Sequence, residues 1–242
     1  MNGLIALLGS GEYLSIMDDV DKFLISRARK DGRFPRVICL PTAAGREGKT
    51  SVDRWSRMGI EHFQRLDTEV EALPIIDKIS ANDPRWIPIL ENANLIYLSG
   101  GDPFYLFKTM NGSQAWQAAQ TAWSQGAILA GCSAGAMILG EKIPDLWRAG
   151  FRSVRTFGLV PATYITPHFD AIPGIWKPVL DALCRNLKKT ETLVGIDENT
   201  ALVGRLGHEW QVMGQNRIHI VKRDGSRSYE KGDRVRWVDG TD

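Results

Sequence analysis

Ser133 stands in Gly131-Cys132-Ser133-Ala134-Gly135, a match to G-x-S-x-G. That pattern puts a serine on a sharp strand-to-helix turn, a nucleophile elbow, with its hydroxyl free to attack an acyl carbon. The glycines suit such a turn because a Cβ at either flanking position would run into the neighbouring strand or helix. An apolar strand, Ala127 to Ala130, leads into the motif, and Ala134 to Leu139 can open a helix behind it. The backbone N–H of Ala134, at the positive end of that helix, is then placed to bind an oxyanion. A second donor is expected from Ser99-Gly100-Gly101-Asp102, a loop whose glycines let backbone N–H groups approach a substrate.

A serine nucleophile needs a base. Of the four histidines, His62 falls in mid-helix and reads as a surface or boundary residue. His208 lies in a hairpin turn and His219 alternates along a late strand, so both read as structural. His168, in Thr166-Pro167-His168-Phe169-Asp170, lies in a non-helical segment just past the apolar Tyr164-Ile165, where catalytic groups usually sit, and is the favoured base. The acid that would orient it has four candidates: Asp145, Asp170, Asp197 and Glu198. Cys132 is offset by one residue from Ser133 and reads as a small buried filler, like Cys39 and Cys184.

A rival motif is Ala43-Ala44-Gly45-Arg46-Glu47-Gly48-Lys49-Thr50, a loosened Walker A pattern between a strand and a helix that would imply nucleotide binding. It has Ala43 where the first glycine belongs, follows the second strand rather than the first, and is not followed directly by an apolar helix start. HExxH, EF-hand and paired CxxC patterns are absent from the sequence, so neither a metal nor any other cofactor is expected.

The elements that must position these groups alternate between strand and helix, the pattern of a mostly parallel sheet covered by helices on both faces, a three-layer α/β fold. Leu4 to Leu8, Arg36 to Leu40, Val70 to Leu73, Leu95 to Leu98, Ala127 to Ala130 and Leu193 to Ile196 read as strands. Val52 to Leu66 and a helix capped by Ser113 carry apolar residues at helical spacing. Trp176, Val179, Leu180, Leu183, Cys184 and Leu187 mark a further amphipathic helix. Ala201 to Leu206, Glu209 to Met213 and Arg217 to Val221 read as an antiparallel meander added to the edge of that sheet. The whole chain, 1–242, reads as one domain, with about 201–242 as this C-terminal β extension.

The 242 residues are 43% hydrophobic and 24% charged, an ordinary globular balance. Thirty basic against 28 acidic residues leave a formal charge of +2, which supports neither a nucleic-acid nor an anionic-membrane partner. Three cysteines make no disulfide framework, and the N-terminal apolar run is too short for a signal peptide, so a cytoplasmic protein is expected.

Together, Pro41-Thr42-Ala43, Ser99-Gly100-Gly101-Asp102, Gly131 to Ala136, Pro167-His168-Phe169 and Gly195-Ile196-Asp197-Glu198 resemble peptidase family S51, which contains dipeptidase E and cyanophycinase. The resemblance implies a class I glutamine amidotransferase-like fold and a serine peptidase. In it Ser133 is the nucleophile, His168 the base, and Gly101 and Ala134 the oxyanion donors. Cyanophycinase-like members imply Glu198 as the acid, and dipeptidase-like members an aspartate near Asp145; Glu198 is the choice here. Cyanophycinases have glutamine before the histidine and an arginine cluster after it, whereas here Pro167 precedes His168 and no arginine follows before Arg185. The expected substrate is therefore a small peptide or amide, Asp-X dipeptides being one class, with Gly100 and Asp102 beside it. A substrate carboxylate would need a cation, for which Arg148, Arg152 and Arg155 are candidates. A homodimer is compatible with the sequence. A non-catalytic amidotransferase-like binding protein is the alternative class.

Overall fold

The structure, a computed structural model, describes residues 2–28, 35–144 and 153–237. In chain order the elements are β1 (Ile5–Leu8), α1 (Asp18–Ala28), β2 (Arg36–Leu40), α2 (Lys49–Arg65), β3 (Glu69–Ala72), α3 (Ile87–Glu91) and β4 (Leu95–Leu98). Then come α4 (Pro103–Met110), α5 (Gln114–Ser124), β5 (Ile128–Cys132), α6 (Ala134–Met137), β6 (Lys142–Pro144), β7 (Ser153–Arg155) and β8 (Thr163–Thr166). The chain continues with α7 (Lys177–Arg185), β9 (Thr192–Ile196), β10 (Thr200–Gly204), β11 (Trp210–Gly214), β12 (Ile218–Lys222), β13 (Gly225–Tyr229) and β14 (Arg234–Val235).

The first sheet has eight strands in the order β14-β11-β10-β1-β5-β4-β2-β3. From β1 to β3 the neighbours are parallel, and β10, β11 and β14 extend it antiparallel. Its central strands are buried on both faces. Ile5 and Leu7 of β1 join the cluster under α3, α5 and the second sheet, while Ala6 and Leu8 face α1 and α2. That two-sided burial is why these strands read as continuous apolar runs. Ser113 caps α5 by accepting the Trp116 N–H at 3.1 Å, and Trp116 and Trp123 are both buried.

The fold class is the expected mixed α/β one, but it contains a second sheet that was not foreseen. Six strands run in the order β13-β12-β9-β8-β6-β7. One of its faces, with Ile165, Val194 and Ile218, joins the main core, and the other, with Tyr164 and Leu193, packs on α7. The predicted meander is thereby divided. β10 and β11 pair with each other beside β1, but β12 leaves them and pairs with β9.

Hydrogen bonds across the intervening turn explain the split. Gln215 donates its N–H to the Asn199 carbonyl, Asn216 its N–H to Thr200 Oγ1 and Arg217 its N–H to Asp197 Oδ2. Residues 215–217 are thus strapped to the corner at 197–199, where the chain passes from β9 in one sheet to β10 in the other.

Two smaller expectations also change, those for His62 and Cys184. His62 is not at the surface: it is buried, and its Nε2 lies 2.8 Å from Asp21 Oδ2, so α1 and α2 share a buried polar contact. Burial pushes the Asp21 carboxyl above its ordinary range, against the His62 hydrogen bond. Cys184 is only half-buried, unlike Cys39 and Cys132. The Walker-like stretch is a 3-10 turn, Thr42–Glu47, that runs into α2, and Lys49 pairs with Asp53 at 2.5 Å. No helix among the described residues is long and apolar enough to cross a membrane.

Candidate active site

β5 ends at Cys132 and the chain turns at once into α6, with Ser133 at the corner. Ser133 has φ +51° and ψ −113°, a left-handed backbone that a non-glycine residue adopts only when its surroundings enforce it. Here they do. The Ser133 N–H is held by the Leu8 carbonyl at 3.0 Å, and its own carbonyl accepts from Ala136 and Met137. A Cβ on Gly131 would strike the backbone of Gly135, and one on Gly135 the carbonyl of Leu98. The helix behind is shorter than expected, Ala134–Met137 instead of Ala134 to Leu139. Any help from Ala134 therefore rests on its own N–H, not on the dipole of a long helix.

His168 lies two residues past β8 and also has a left-handed backbone, φ +50°. Phe169 donates its N–H to the Ile196 carbonyl at 3.1 Å, which fixes this loop to the end of β9. His168 Nε2 is 3.0 Å from Ser133 Oγ, and His168 Nδ1 is 2.9 Å from Glu198 Oε1. A neutral imidazole protonated on Nδ1 satisfies both contacts, donating to the carboxylate and accepting the serine hydroxyl.

Glu198 occupies the corner between the two sheets. Its N–H is held by Asp170 Oδ1 at 2.8 Å, and its carbonyl accepts from Thr200 Oγ1 and Asn216 Nδ2. Of the four acid candidates, then, Glu198 meets the imidazole and Asp170 braces Glu198. Asp197 turns to His219 Nε2 at 3.0 Å, and Asp145 lies outside the described residues.

The loop after β4 reaches the same place. Gly101 is exposed, with φ +139°, and a Cβ there would lie 2.6 Å from the Ala43 carbonyl oxygen. Gly100 does not offer its N–H to a substrate as expected, because Glu12 Oε1 takes it at 2.9 Å. The Asp102 N–H is likewise engaged by Ala43, and Asp102 Oδ1 caps α4 through the N–H groups of Phe104 and Tyr105.

Glu12 was not anticipated. It is buried just past the end of β1, and its second oxygen accepts the Cys132 S–H at 3.0 Å. One carboxyl group thus ties the Gly100 loop to the residue before Ser133. The signal available for it was position, since the carboxyl ends of central strands are where such sheets build sites. Burial and the nearby charge of Glu12 push the Cys132 thiol well above its ordinary range, and burial pushes Cys39 up to about 12. Neither is a thiolate at neutral pH, so neither competes with Ser133.

Beside the imidazole lies a cavity of about 590 Å³, bounded by His168, Asp102, α6 and α7. Arg46, from the Walker-like stretch, reaches its wall and was not foreseen there. Of the arginines expected to meet a substrate, Arg155 is 3.7 Å from Glu141. Arg148 and Arg152 lie outside the described residues. Among the described residues, no group of three or more His, Cys, Asp or Glu side chains is arranged to hold a metal ion.

A mixed α/β fold of the class I glutamine amidotransferase-like kind, with a serine at a strand-to-helix corner, defines the class. The family model of peptidase family S51 matches residues 5–209, and the chain belongs to that family. It is 25% identical over 232 residues to the cyanophycinase of Synechococcus elongatus, covering 90% of this chain and 68% of that protein. It is 24% identical over 168 residues to the uncharacterized peptidase YgaJ of Bacillus subtilis, covering 69% of this chain and 68% of that protein. The crystal structure of a peptidase from an acI-B1 Actinobacterium superposes with a TM-score of 0.88 at 36% identity, over 98% of each chain. A putative peptidase E of Listeria monocytogenes EGD-e superposes with a TM-score of 0.62 at 18% identity, over 89% of this chain and 100% of that one, and shares the fold.

Proposed function

We propose that this member of the peptidase family is a serine-type hydrolase of small peptides, with Ser133 as nucleophile, His168 as general base and acid, and Glu198 as the orienting carboxylate. One observation carries the reading: Ser133 Oγ, the two imidazole nitrogens and the Glu198 carboxylate form a continuous chain of contacts of 3.0 and 2.9 Å. Those are hydrogen-bond distances, within reach for proton transfer.

The steps follow from that order. Ser133 Oγ attacks the amide carbon while its proton passes to His168 Nε2, and the carbonyl π electrons move onto oxygen. The N–H groups of Gly101 and Ala134 receive the oxyanion. As the intermediate collapses, the C–N bond breaks and Nε2 returns the proton to the departing amine. Water then attacks the acyl-enzyme, giving its proton to Nε2, and the C–Oγ bond breaks as Nε2 returns that proton to Oγ, restoring the serine hydroxyl. Glu198 keeps the Nδ1 proton in place and stabilises the imidazolium in each half-reaction. The proposed substrate is a small peptide. An aspartyl preference remains an expectation to be tested with the panel below.

The test is hydrolysis of dipeptides with aspartyl, neutral and apolar residues by the wild-type protein and by Ser133→Ala. Cleavage that the substitution abolishes is the expected result. Cleavage that survives in Ser133→Ala overturns the mechanism, and the absence of any cleavage favours the non-catalytic alternative.

A further inference from the structure

We infer that the cavity beside His168 is a side-chain subsite for a large apolar residue of the substrate, of leucine or phenylalanine kind. The inference rests on the peptidase reading above and names the substrate class for that site.

The cavity is continuous with the proposed chemistry, because His168 itself forms part of its wall. Most of the rest is apolar, with Phe104 from α4, Met137 from α6, Ile143 from β6 and Trp176, Leu180 and Leu183 at and along α7. Its volume of about 590 Å³ falls in the range of small-ligand pockets and exceeds what a methyl side chain would fill. No residue of α7 is fully buried. Leu180 and Leu183 are half-buried, so the amphipathic pattern read in the sequence presents apolar surface that the protein's own core leaves partly uncovered.

Charge points the same way. Apart from His168, the titratable groups in the described wall are Arg46 and Asp102. They face each other at 3.4 Å, and Asp102 also caps α4. Among the described wall residues, the cation Arg46 is thus paired with a carboxylate. Among these described groups a substrate carboxylate finds no cation without a carboxylate already beside it, whereas an apolar side chain loses nothing by leaving water.

The experiment compares dipeptides Xaa-Ala, Ala-Xaa and Asp-Xaa, with Xaa as Ala, Leu, Phe or Asp, on the wild-type protein and on Leu180→Arg. At one of the two positions, Leu or Phe should raise kcat/KM about tenfold or more over Ala, and Asp at that position should lower it. Leu180→Arg, checked for an intact fold by its thermal transition, should erase that preference. Binding of the same peptides to Ser133→Ala, measured by calorimetry, separates this inference from the mechanism. Hydrolysis without an apolar preference at either position overturns the subsite and leaves the peptidase reading standing. Absent hydrolysis with Leu or Phe peptides bound about tenfold tighter than Ala peptides supports the subsite and overturns the peptidase reading. Neither hydrolysis nor selective binding overturns both.

Discussion

The Glu198 side chain is 43% exposed and that of His168 is 41% exposed, so water screens their attraction and the pair adds little to stability. Its value is orientation. Glu198→Gln keeps the shape but lets an amide N–H face Nδ1, which favours the wrong tautomer of the imidazole. We expect kcat to fall by about 10³- to 10⁴-fold with KM changed little, as measured by steady-state kinetics on the best dipeptide. Cys132 provides the contrasting case. Its buried, protonated thiol should resist iodoacetamide in the native protein, and peptide mapping should find it unmodified until denaturant is added. Much of this was legible at the residue scale, because Gly131, Ser133 and Gly135 are chemically unusual as a set. The choice among Asp145, Asp170, Asp197 and Glu198 was not legible from residue type. Four acids with the same chemistry differ only in where the fold sends them, and it sends Asp197 to His219 and Asp170 to the Glu198 backbone.

At the scale of elements, the site is assembled from the ends of β4, β5, β8 and β9, and Glu12 is the brace between the first two. Glu12→Ala removes the acceptor for the Gly100 N–H and frees the loop that carries Gly101. Misplacement of that loop should lower kcat by up to about 10²-fold. Glu12→Gln retains a carbonyl acceptor for the same N–H and should recover most of the rate. Equal losses in the two variants would contradict this positioning role. The parallel strands and the helices α2 and α5 could be read from apolar runs and helical periodicity. The second sheet could not. Ile218-His219-Ile220 alternates as any half-buried strand does, and nothing in that alternation says whether its partner is β11 or β9. The decision was made by side chains and backbone groups around 197–199, distant in sequence from β12.

For the molecule as a whole, the second sheet must stay docked for Glu198 and His168 to meet Ser133. Lys142 of β6 and Glu191, just before β9, form an ion pair inside that sheet, with side chains 14% and 8% exposed. Burial works to raise the Glu191 carboxyl, but the Lys142 hydrogen bond and the Lys188 N–H outweigh it and hold the group below its ordinary 4.5. A carboxyl depressed in the folded state contributes stability that is fully present above its unfolded value and is lost as pH falls through the folded one. Lys142 is raised above 10.5, chiefly by the Glu191 hydrogen bond, so its share is present below 10.5 and is lost at higher pH. Glu191→Gln should therefore lower the melting temperature at pH 7 and flatten its decline between pH 5 and 3. An unchanged acid arm would contradict the pairing. In the main core, Leu7→Ala should cost about 2–5 kcal/mol in denaturant unfolding, since Leu7 is fully buried between layers.

The most direct test of the central claim is covalent trapping with a fluorophosphonate, read by intact-protein mass and peptide mapping. The account predicts one adduct per chain, on Ser133, formed far more slowly in His168→Ala and absent in Ser133→Ala. An adduct on another residue, or none in a preparation that cleaves peptides, would contradict it.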